Sequence, residues 1–398
     1  MEQVRQKQDR ARARLFLEAK RIVVKLGTST VTGENGELCY DRVEPIVHLI
    51  AELMHAGRQV ILVSSGAVGL GRASLGLHPS RLEDLVVKQA CAAVGQSLLM
   101  DAYRKLFSVW QLNVAQVLLT EDDFTVWRRH SNLRHTIEKL LQFGVVPIIN
   151  ENDTVSTAEI ESLDAPARSA AFSDNDRLAA LVMSGLEADV LVLLTNVDGF
   201  LRKKGAQPGI ASRGDSTSEV IPIVDRITPE LESFASGPSA SGRGGMRTKL
   251  AAAEIAMSCG GMAVIANGRD PTTLKRLFAG ERVGTTFLPA MRMKGKRRWI
   301  RFAANVAGRL TVDGGAKRAI AVSKASLLAS GVLRVEGIFS TKDVVSIMDK
   351  DGREFARGIV ECASESAVER AKKQGSPRSR IVVRRDNIVL LEGHDSRI

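Results

Sequence analysis

The chain has 398 residues, of which 44% are hydrophobic, and this is enough to bury a large core and to form two or more domains. No apolar run approaches the roughly 18 residues of a membrane span, and the first twenty residues lack the apolar segment of a secretory signal. The four cysteines are widely spaced without a CxxC pair, which favours a reducing cytoplasm and argues against a zinc site.

The net charge of +11 is concentrated in the C-terminal part of the chain. Residues 1–290 contain 33 basic and 33 acidic side chains, whereas residues 291–398 contain 23 basic and 12 acidic ones. A neutral body followed by a basic segment indicates two domains with different partners, the second of them facing an anionic partner.

Residues 1–20 are rich in charge and predict a leading helix, after which the first strand is predicted over 22–26. This strand carries Lys25 near its end and is followed by a glycine and three hydroxyl residues, 27–30. Lysine supplies a positive charge, glycine lets the backbone approach a ligand, and hydroxyl and N–H groups donate to phosphate oxygens. Taken alone, however, the stretch is better explained as a surface lysine after an ordinary strand, because it lacks the glycine spacing of a P-loop.

Helix and strand signals alternate along the body, which is typical of an α/β domain. A helix is predicted over 41–56 and a strand over 59–63, which ends in the small-residue loop 64–69. Open α/β sheets bind ligands at such strand ends, so Ser65 and the neighbouring N–H groups are candidates to hold a substrate carboxylate. An ordinary strand-to-helix turn explains this loop equally well when the loop is considered alone.

Two clusters of short polar side chains follow in the middle of the body. A helix over 81–106, a strand over 112–119, a helix over 127–143 and a strand over 145–149 are predicted, and the polar cluster 150–154 follows them. The second cluster, 174–176, precedes a predicted helix over 177–183. Helix capping explains one of these residues rather than the whole set, which needs a ligand, a metal ion or water to satisfy it.

The last part of the body contains two further candidate loops. The predicted strand 190–194 ends in a polar turn, 195–200, and the polar segment 201–218 is expected to be mobile. The glycine-rich basic run 241–249 leads into a predicted helix over 250–257, and glycines before a helix N-terminus form an anion site. A flexible linker is less favoured because the helix follows directly. A strand over 262–266 and a last edge strand at 284–287 complete the body.

The chemistry of these loops favours transfer of a phosphoryl group to a carboxylate. No histidine or cysteine has an obvious partner for nucleophilic or general-base catalysis. Such a transfer needs no base, because an acceptor of the glutamate type has a pKa of about 4.3 and is ionised at neutral pH. It needs cations that bring two anions together and stabilise charge on the transferred group, and lysines with a metal-bound phosphate chain suit this task.

Six motifs occur in one order along nearly the whole chain: VVKLGTST, VSSGAVGLG, VVPIINENDTV, SDND, LLTNVDG and GRGGMRTK. This set resembles the glutamate 5-kinases of the amino-acid kinase superfamily. The resemblance implies a three-layer α/β/α sandwich with a mainly parallel sheet over 21–290, after an N-terminal extension over 1–20. It also implies ATP and Mg²⁺, L-glutamate as acceptor and L-glutamyl 5-phosphate as product, in the first step of proline biosynthesis. Feedback inhibition by proline and a cytoplasmic homo-oligomer, a dimer or tetramer, are implied as well.

The same resemblance assigns roles to individual residues. Lys25 would meet the transferred phosphate, Lys249 would stabilise the nucleotide phosphates and Asp176 would orient both lysines, so these three form the expected catalytic set. L-Glutamate would be bound by Ser65, Asp153 and Asn175, with Asp153 facing the ammonium group and the other two facing the carboxylates. No metal ligand is assigned among the side chains. The expected contacts of ATP are Lys25, Thr195, Asn196, Arg243, Gly244, Gly245, Met246, Arg247, Thr248 and Lys249.

Three features depart from the usual pattern of these kinases. Asn196 stands where aspartate is common, which removes a negative charge near the nucleotide. Arg243 stands where a small residue is frequent, and it either adds a phosphate contact or points outward. The segment 161–173 is longer than the usual connection, and it borders the glutamate pocket and the region linked to proline inhibition.

The C-terminal part predicts a second, β-rich domain over 299–398, joined to the body by a basic linker over 291–298. Strands near Val332, Val344 and Ile381 and a helix or two resemble the PUA domain, a small β-barrel named for RNA-modifying enzymes. The basic excess would permit weak RNA binding through the phosphate backbone, although few aromatic residues are present for base stacking. A structural or regulatory appendage with a solvated basic face is the favoured interpretation.

Overall fold

The computed structural model describes residues 2–155, 175–203, 218–235, 245–372 and 381–391. The chain divides into two compact units. The first consists of Met1–Asp123 and His130–Met293, and the second of Phe124–Arg129 and Lys294–Ile398. Of the helices in the described ranges, none is long and apolar enough to cross a membrane.

The first unit is built on a mainly parallel sheet. Its strands are β1 (Arg21–Leu26), β2 (Gln59–Ser64), β3 (Val114–Leu119), β4 (Val146–Glu151), β5 (Val190–Thr195), β6 (Leu201–Lys203), β7 (Ser218–Val220), β8 (Ile223–Val224), β9 (Met262–Asn267) and β10 (Thr285–Phe287). Eight of them form one sheet in the order β3-β4-β2-β1-β5-β9-β10-β8, while β6 and β7 pair separately. Neighbours from β3 to β9 are parallel, and β10 runs antiparallel to β9.

Helices cover both faces of this sheet. The helices along this part of the chain are α1 (Glu2–Glu18), α2 (Thr28–Val31), α3 (Tyr40–His55), α4 (Ala67–Ser74), α5 (Leu85–Ser108), α6 (Asp122–Thr125), α7 (Trp127–Gln142), α8 (Asn175–Leu186), α9 (Pro229–Phe234), α10 (Met246–Ser258) and α11 (Thr273–Phe278), with a 3₁₀ turn at Pro79–Glu83. Alternate strand residues such as Val24 and Leu62 join the core formed with α1, α3, α5 and α11. On the opposite face α8 and α10 pack against each other and the central strands. The predicted three-layer α/β/α arrangement is confirmed.

The charged leading helix contributes to the core of the first unit. Phe16 is fully buried, and its ring meets that of Phe278 edge to face with the centroids 5.3 Å apart. Arg12 donates through Nη2 to the backbone oxygen of Gly280 over 2.6 Å. Phe16 and Arg12 therefore attach α1 to the body of the first unit.

Several element boundaries differ from the sequence predictions by a few residues, and two differences concern the start of α8 and the edge of the sheet. Helix α8 begins at Asn175, two residues before the predicted start, so Asn175 and Asp176 lie in its first turn rather than ahead of it. The last edge strand was also predicted wrongly, because β8 lies outside β10 at the edge of the sheet. A strand of two residues is too short to show a period-2 pattern, which explains why the sequence did not reveal β8.

The second unit is a small six-stranded sheet with its own core. Its elements are β11 (Val306–Val312), β12 (Leu327–Leu328), β13 (Val332–Glu336), β14 (Val344–Met348), β15 (Glu354–Val360), β16 (Ile381–Leu390), α12 (Gly295–Arg298), α13 (Gly314–Ala321) and α14 (Ser364–Lys372), with a π turn at Trp299–Ala303 and a 3₁₀ turn at Ala329–Gly331. The strand order is β12-β16-β15-β14-β11-β13, and only β11 and β14 pair in parallel. Bulges in several pairs curl the sheet. The predicted small β-rich domain with helices is confirmed.

Candidate active site

The carboxyl ends of the parallel strands open into one cavity of ≈ 650 Å³ in the first unit. Lys25 in β1 pairs in register with Val63 of β2 and Leu193 of β5, so the ends of these three strands lie side by side. Because parallel strands all end at the same edge of the sheet, the polar loops that follow them meet there. The predicted residues that line the cavity are Lys25, Ser65, Asp153, Asn175, Thr195, Asn196 and Lys249.

Asp176 holds two lysines from different elements in one buried group. Lys25 Nζ lies 2.7 Å from Asp176 Oδ1, and Lys249 Nζ lies 2.9 Å from Asp176 Oδ2. Asp176 is fully buried, and the two lysine side chains are 7% and 6% exposed. Burial by itself raises the pKa of the Asp176 carboxyl, but the two lysines outweigh burial and hold the pKa below its ordinary value. The three groups together carry one net positive charge at the wall of the cavity.

A second polar group lies at the ends of β2 and β4. Asn175 Nδ2 donates to Ser65 Oγ over 2.9 Å and to Asn150 Oδ1 over 3.1 Å. Asn150 Nδ2 in turn donates to Gln96 Oε1 over 3.0 Å. Asn175 and Asp176 are adjacent in the first turn of α8, so this single turn supplies one side chain to each polar group.

Glycine 66 shapes the loop that carries Ser65. Its φ is +108°, and a Cβ atom there would lie 2.9 Å from Val31 Cγ1, so a larger residue would be both strained and crowded. Gly66 is also the N-cap of α4 and makes no side-chain hydrogen bond to the first turn. The first turn of α4 therefore has no side-chain cap, and residues 66–69 line the cavity, where free N–H groups at a helix N-terminus favour an anion.

The residues predicted to bind ATP are distributed over two regions. Thr195 is buried and donates through Oγ1 to Asn196 Oδ1 over 3.3 Å, and both residues line the cavity. Gly245 caps α10, whose first turn contains Met246, Arg247, Thr248 and Lys249. Of these four, only Lys249 lines the cavity, whereas Arg247 lines a separate cavity of ≈ 340 Å³. The predicted residues Arg243 and Gly244, the segment 161–173 and most of the segment 201–218 lie outside the described residues.

Sequence analysis did not assign roles to four residues that the structure brings to this region. Lys88 and Arg269 line the cavity, and Gln96 and Asn150 belong to the second polar group. Lys88, Gln96 and Asn150 are buried. The sequence signal that could have identified them is a polar residue at a position that the helix or strand pattern predicts to be buried, because a buried polar side chain needs a partner.

The cavity suits a magnesium ion that arrives with a phosphate-bearing ligand. Within the described residues, no three His, Cys, Asp or Glu side chains are close enough to hold a metal ion by themselves. Magnesium is usually held by one or two carboxylates together with water and substrate phosphates. Glu151 lines the cavity and offers this type of ligand.

Comparison with known proteins matches each of the two parts of the chain to a known family. The sequence model of the amino acid kinase family matches residues 20–267, and that of the PUA domain matches residues 308–380. The glutamate 5-kinase of Geobacter sp. strain M21 is 43% identical over 390 residues, covering 96% of this chain and 100% of that relative. The glutamate 5-kinase of Caldanaerobacter subterraneus subsp. tengcongensis is 43% identical over 383 residues, covering 94% and 98%. A carbamate kinase structure from Giardia lamblia aligns with a TM-score of 0.45 at 19% identity, covering 69% of this chain and 99% of that one.

Proposed function

We infer the function from the family: the chain belongs to the amino acid kinase family and, within it, to the glutamate 5-kinases. It transfers the γ-phosphate of ATP to the side-chain carboxylate of L-glutamate and forms L-glutamyl 5-phosphate, the first step of proline biosynthesis. The observation that carries this function is the buried group of Lys25, Asp176 and Lys249 at the cavity wall. Two cations held by one carboxylate form a site for anions rather than for acid–base chemistry.

The reaction proceeds without a general base. The attacking carboxylate of glutamate is already ionised at neutral pH, since its pKa is about 4.3. Its attack on the γ-phosphorus brings two anions together, so the barrier is lowered mainly by positioning and by positive charge at the transferred group. Lys25 and Lys249 supply that charge, and Asp176 holds both ammonium groups in position. Mg²⁺, bound with ATP, neutralises further charge on the phosphates.

L-Glutamate lies beside Ser65, Asp153 and Asn175 in this proposal. The Asn175 amide already donates both of its hydrogens, one to Ser65 and one to Asn150. Ser65 Oγ accepts one of these bonds, which turns its own hydrogen toward the cavity and toward a substrate carboxylate. Asn175 thus binds glutamate mainly by orienting Ser65, and Asp153 at the cavity wall faces the substrate ammonium group.

ATP extends from the two lysines toward the ends of β5 and α10. Thr195 and Asn196 line the cavity on that side, and Asn196 adds no negative charge where the phosphates must pass. On the side of α10, Lys249 lines the cavity and stabilises the nucleotide phosphates. We assign the kinase domain to residues 21–290 and the PUA-like domain to residues 299–398.

The remaining partners follow from the family and the charge distribution. The enzyme works in the cytoplasm as a homo-oligomer, a dimer or tetramer, and L-proline inhibits it. The basic C-terminal domain binds RNA at most weakly and without strong sequence preference. For the full chain, weak RNA binding predicts an affinity that falls steeply with added salt and that is retained by the Lys25→Ala variant. Absence of binding at low salt would exclude this activity.

A hydroxylamine-trap assay across a panel of acceptors tests the proposed function. L-Glutamate with ATP should give a hydroxamate, because hydroxylamine captures the acyl phosphate, and L-proline should reduce its rate of formation. N-Acetylglutamate, aspartate and UMP, compared by ADP release, serve as alternative acceptors. Turnover of one of these without turnover of L-glutamate would assign the chain to a different kinase.

A further inference from the structure

A row of hydrogen bonds connects helix α5 to Ser65 through the interior of the first unit. It passes from Gln96 to Asn150, then to Asn175 and Ser65, over distances of 3.0, 3.1 and 2.9 Å. Gln96 is 8% exposed and Asn150 is 3% exposed, so bulk water does not replace these bonds. Gln96 is absent from the cavity wall, and its influence on a ligand must therefore pass through Asn150.

The direction of each hydrogen bond shows that Gln96 fixes the orientation of the Asn150 amide. Asn150 presents its amide nitrogen to Gln96 Oε1 and its amide oxygen to Asn175. If the Asn150 amide turned over, its N–H groups would face the N–H groups of Asn175, and a buried donor would lose its acceptor. The Gln96 oxygen prevents this, because it accepts only from the nitrogen side of Asn150. Among the residues that the structure describes, Gln96 Nε2 has no hydrogen-bond partner, so only the oxygen of this side chain takes part in the row.

The backbone next to Gln96 is held at close range to the substrate loop. A Cβ atom on Gly95 would lie 1.7 Å from the backbone oxygen of Ala67, and one on Gly71 would lie 1.8 Å from that of Cys91. Helices α4 and α5 therefore touch through their backbones at these two glycines. Because α4 follows directly on the loop of Ser65, this contact fixes the distance between Gln96 and the substrate loop.

We propose that Gln96 is a positioning residue for the glutamate acceptor, which sets the Asn150 amide and, through Asn175, the direction of the Ser65 hydroxyl. The inference rests on the proposed function. The positioning role belongs to the acceptor oxygen of Gln96 and not to the size of its side chain, and experiment can separate these two properties.

Two nearly isosteric variants separate these contributions. Gln96→Met keeps the length of the side chain but removes the acceptor, whereas Gln96→Glu keeps an acceptor oxygen and loses only a nitrogen that has no partner. Gln96→Met should raise the KM for L-glutamate by on the order of tenfold, since an unpaired buried donor loosens the bound state, and should leave the KM for ATP unchanged. Gln96→Glu should keep the KM for L-glutamate within about threefold of wild type.

Hydroxamate formation with varied L-glutamate and varied ATP, together with thermal denaturation, distinguishes the outcomes. A wild-type protein that forms no glutamyl hydroxamate overturns the proposed function and this inference together. If the wild type is active, equal KM values for L-glutamate in wild type and Gln96→Met overturn the inference alone. If Gln96→Met and Gln96→Glu both raise the KM for L-glutamate and the KM for ATP and both lower the melting temperature, Gln96 has a merely structural role. That result would also overturn the inference.

Discussion

Replacing Asp176 by asparagine probes the catalytic group most severely. The change keeps the shape of the side chain and removes the charge that lies 2.7 Å from Lys25 Nζ and 2.9 Å from Lys249 Nζ. Water replaces the lost carboxylate poorly, because the two lysine side chains are only 7% and 6% exposed. Breaking a buried ion pair from one side costs about 3–5 kcal/mol, so the melting temperature should fall by on the order of 10 °C.

The effect of Asp176→Asn on stability depends on pH in a predictable direction. The folded-state pKa of Asp176 lies below its ordinary value of 3.8. The carboxylate therefore stabilises the fold fully above that ordinary value, and the stabilisation is lost as the pH falls through the lower folded pKa. The difference in unfolding free energy between wild type and variant should be constant near neutral pH and should shrink only in acid.

Thermal denaturation and steady-state kinetics measure the two consequences, and Asp101→Asn provides a matched control. Asp101 also contacts two cations, Arg104 at 2.8 Å and Lys105 at 2.7 Å, but on the exposed surface of α5. Its replacement should leave both melting temperature and kcat almost unchanged, because water screens exposed pairs. Asp176→Asn should lower kcat by roughly a hundredfold or more, since the lysines lose their fixed positions. An Asp176→Asn protein with the melting temperature and the kcat of wild type would refute the reasoning.

Two further substitutions test the acceptor side of the site. Ser65→Ala should raise the KM for L-glutamate roughly tenfold with little change in the KM for ATP, because a hydroxyl donor to the substrate is lost; initial rates check this, and a fall in kcat alone would contradict it. Gly95→Ala should destabilise the first unit by at least about 1–3 kcal/mol, because the new Cβ meets the backbone of Ala67 at 1.7 Å. Denaturant unfolding measures this loss of unfolding free energy. Gly314→Ala is the control, because a Cβ there meets no atom within 4 Å. Equal stabilities of the two variants would disprove the close contact of α4 and α5.

Local sequence patterns were sufficient to predict an α/β domain and the approximate strand ends of the first unit, whereas the three-layer arrangement was implied by the family resemblance. Short apolar runs such as that of β1 mark central parallel strands, and the polar loops after them must meet at one edge. No single loop established a site by this argument, and the loops indicated one only as a set; the structure brings Lys25, Ser65 and Thr195 to one cavity. The order of six motifs added Lys249 and Asp176, which are far from Lys25 in the chain.

Contacts that depend on tertiary packing could not be predicted in the same way. The Gln96 side chain lies in a long helix whose pattern shows only that this face is buried, and its partner Asn150 comes from a strand 54 residues later in the chain. The distance between α4 and α5 depends on two glycines whose role becomes visible only when both helices are in place. For Arg247 the motif predicts a phosphate contact, and this prediction stands beside the observation that Arg247 lines a cavity other than that of Lys25.

The most direct test of the central claim is the rate of glutamate-dependent hydroxamate formation by wild type, Lys25→Ala and Lys249→Ala, measured with ADP release in the same samples. We predict equal amounts of hydroxamate and ADP from the wild type. Each alanine variant should lose far more in kcat than it gains in the KM for L-glutamate, because both lysines act mainly on the transferred phosphate. Variants that keep the wild-type kcat and raise only KM would contradict the account, since Lys25 and Lys249 would then be binding residues alone.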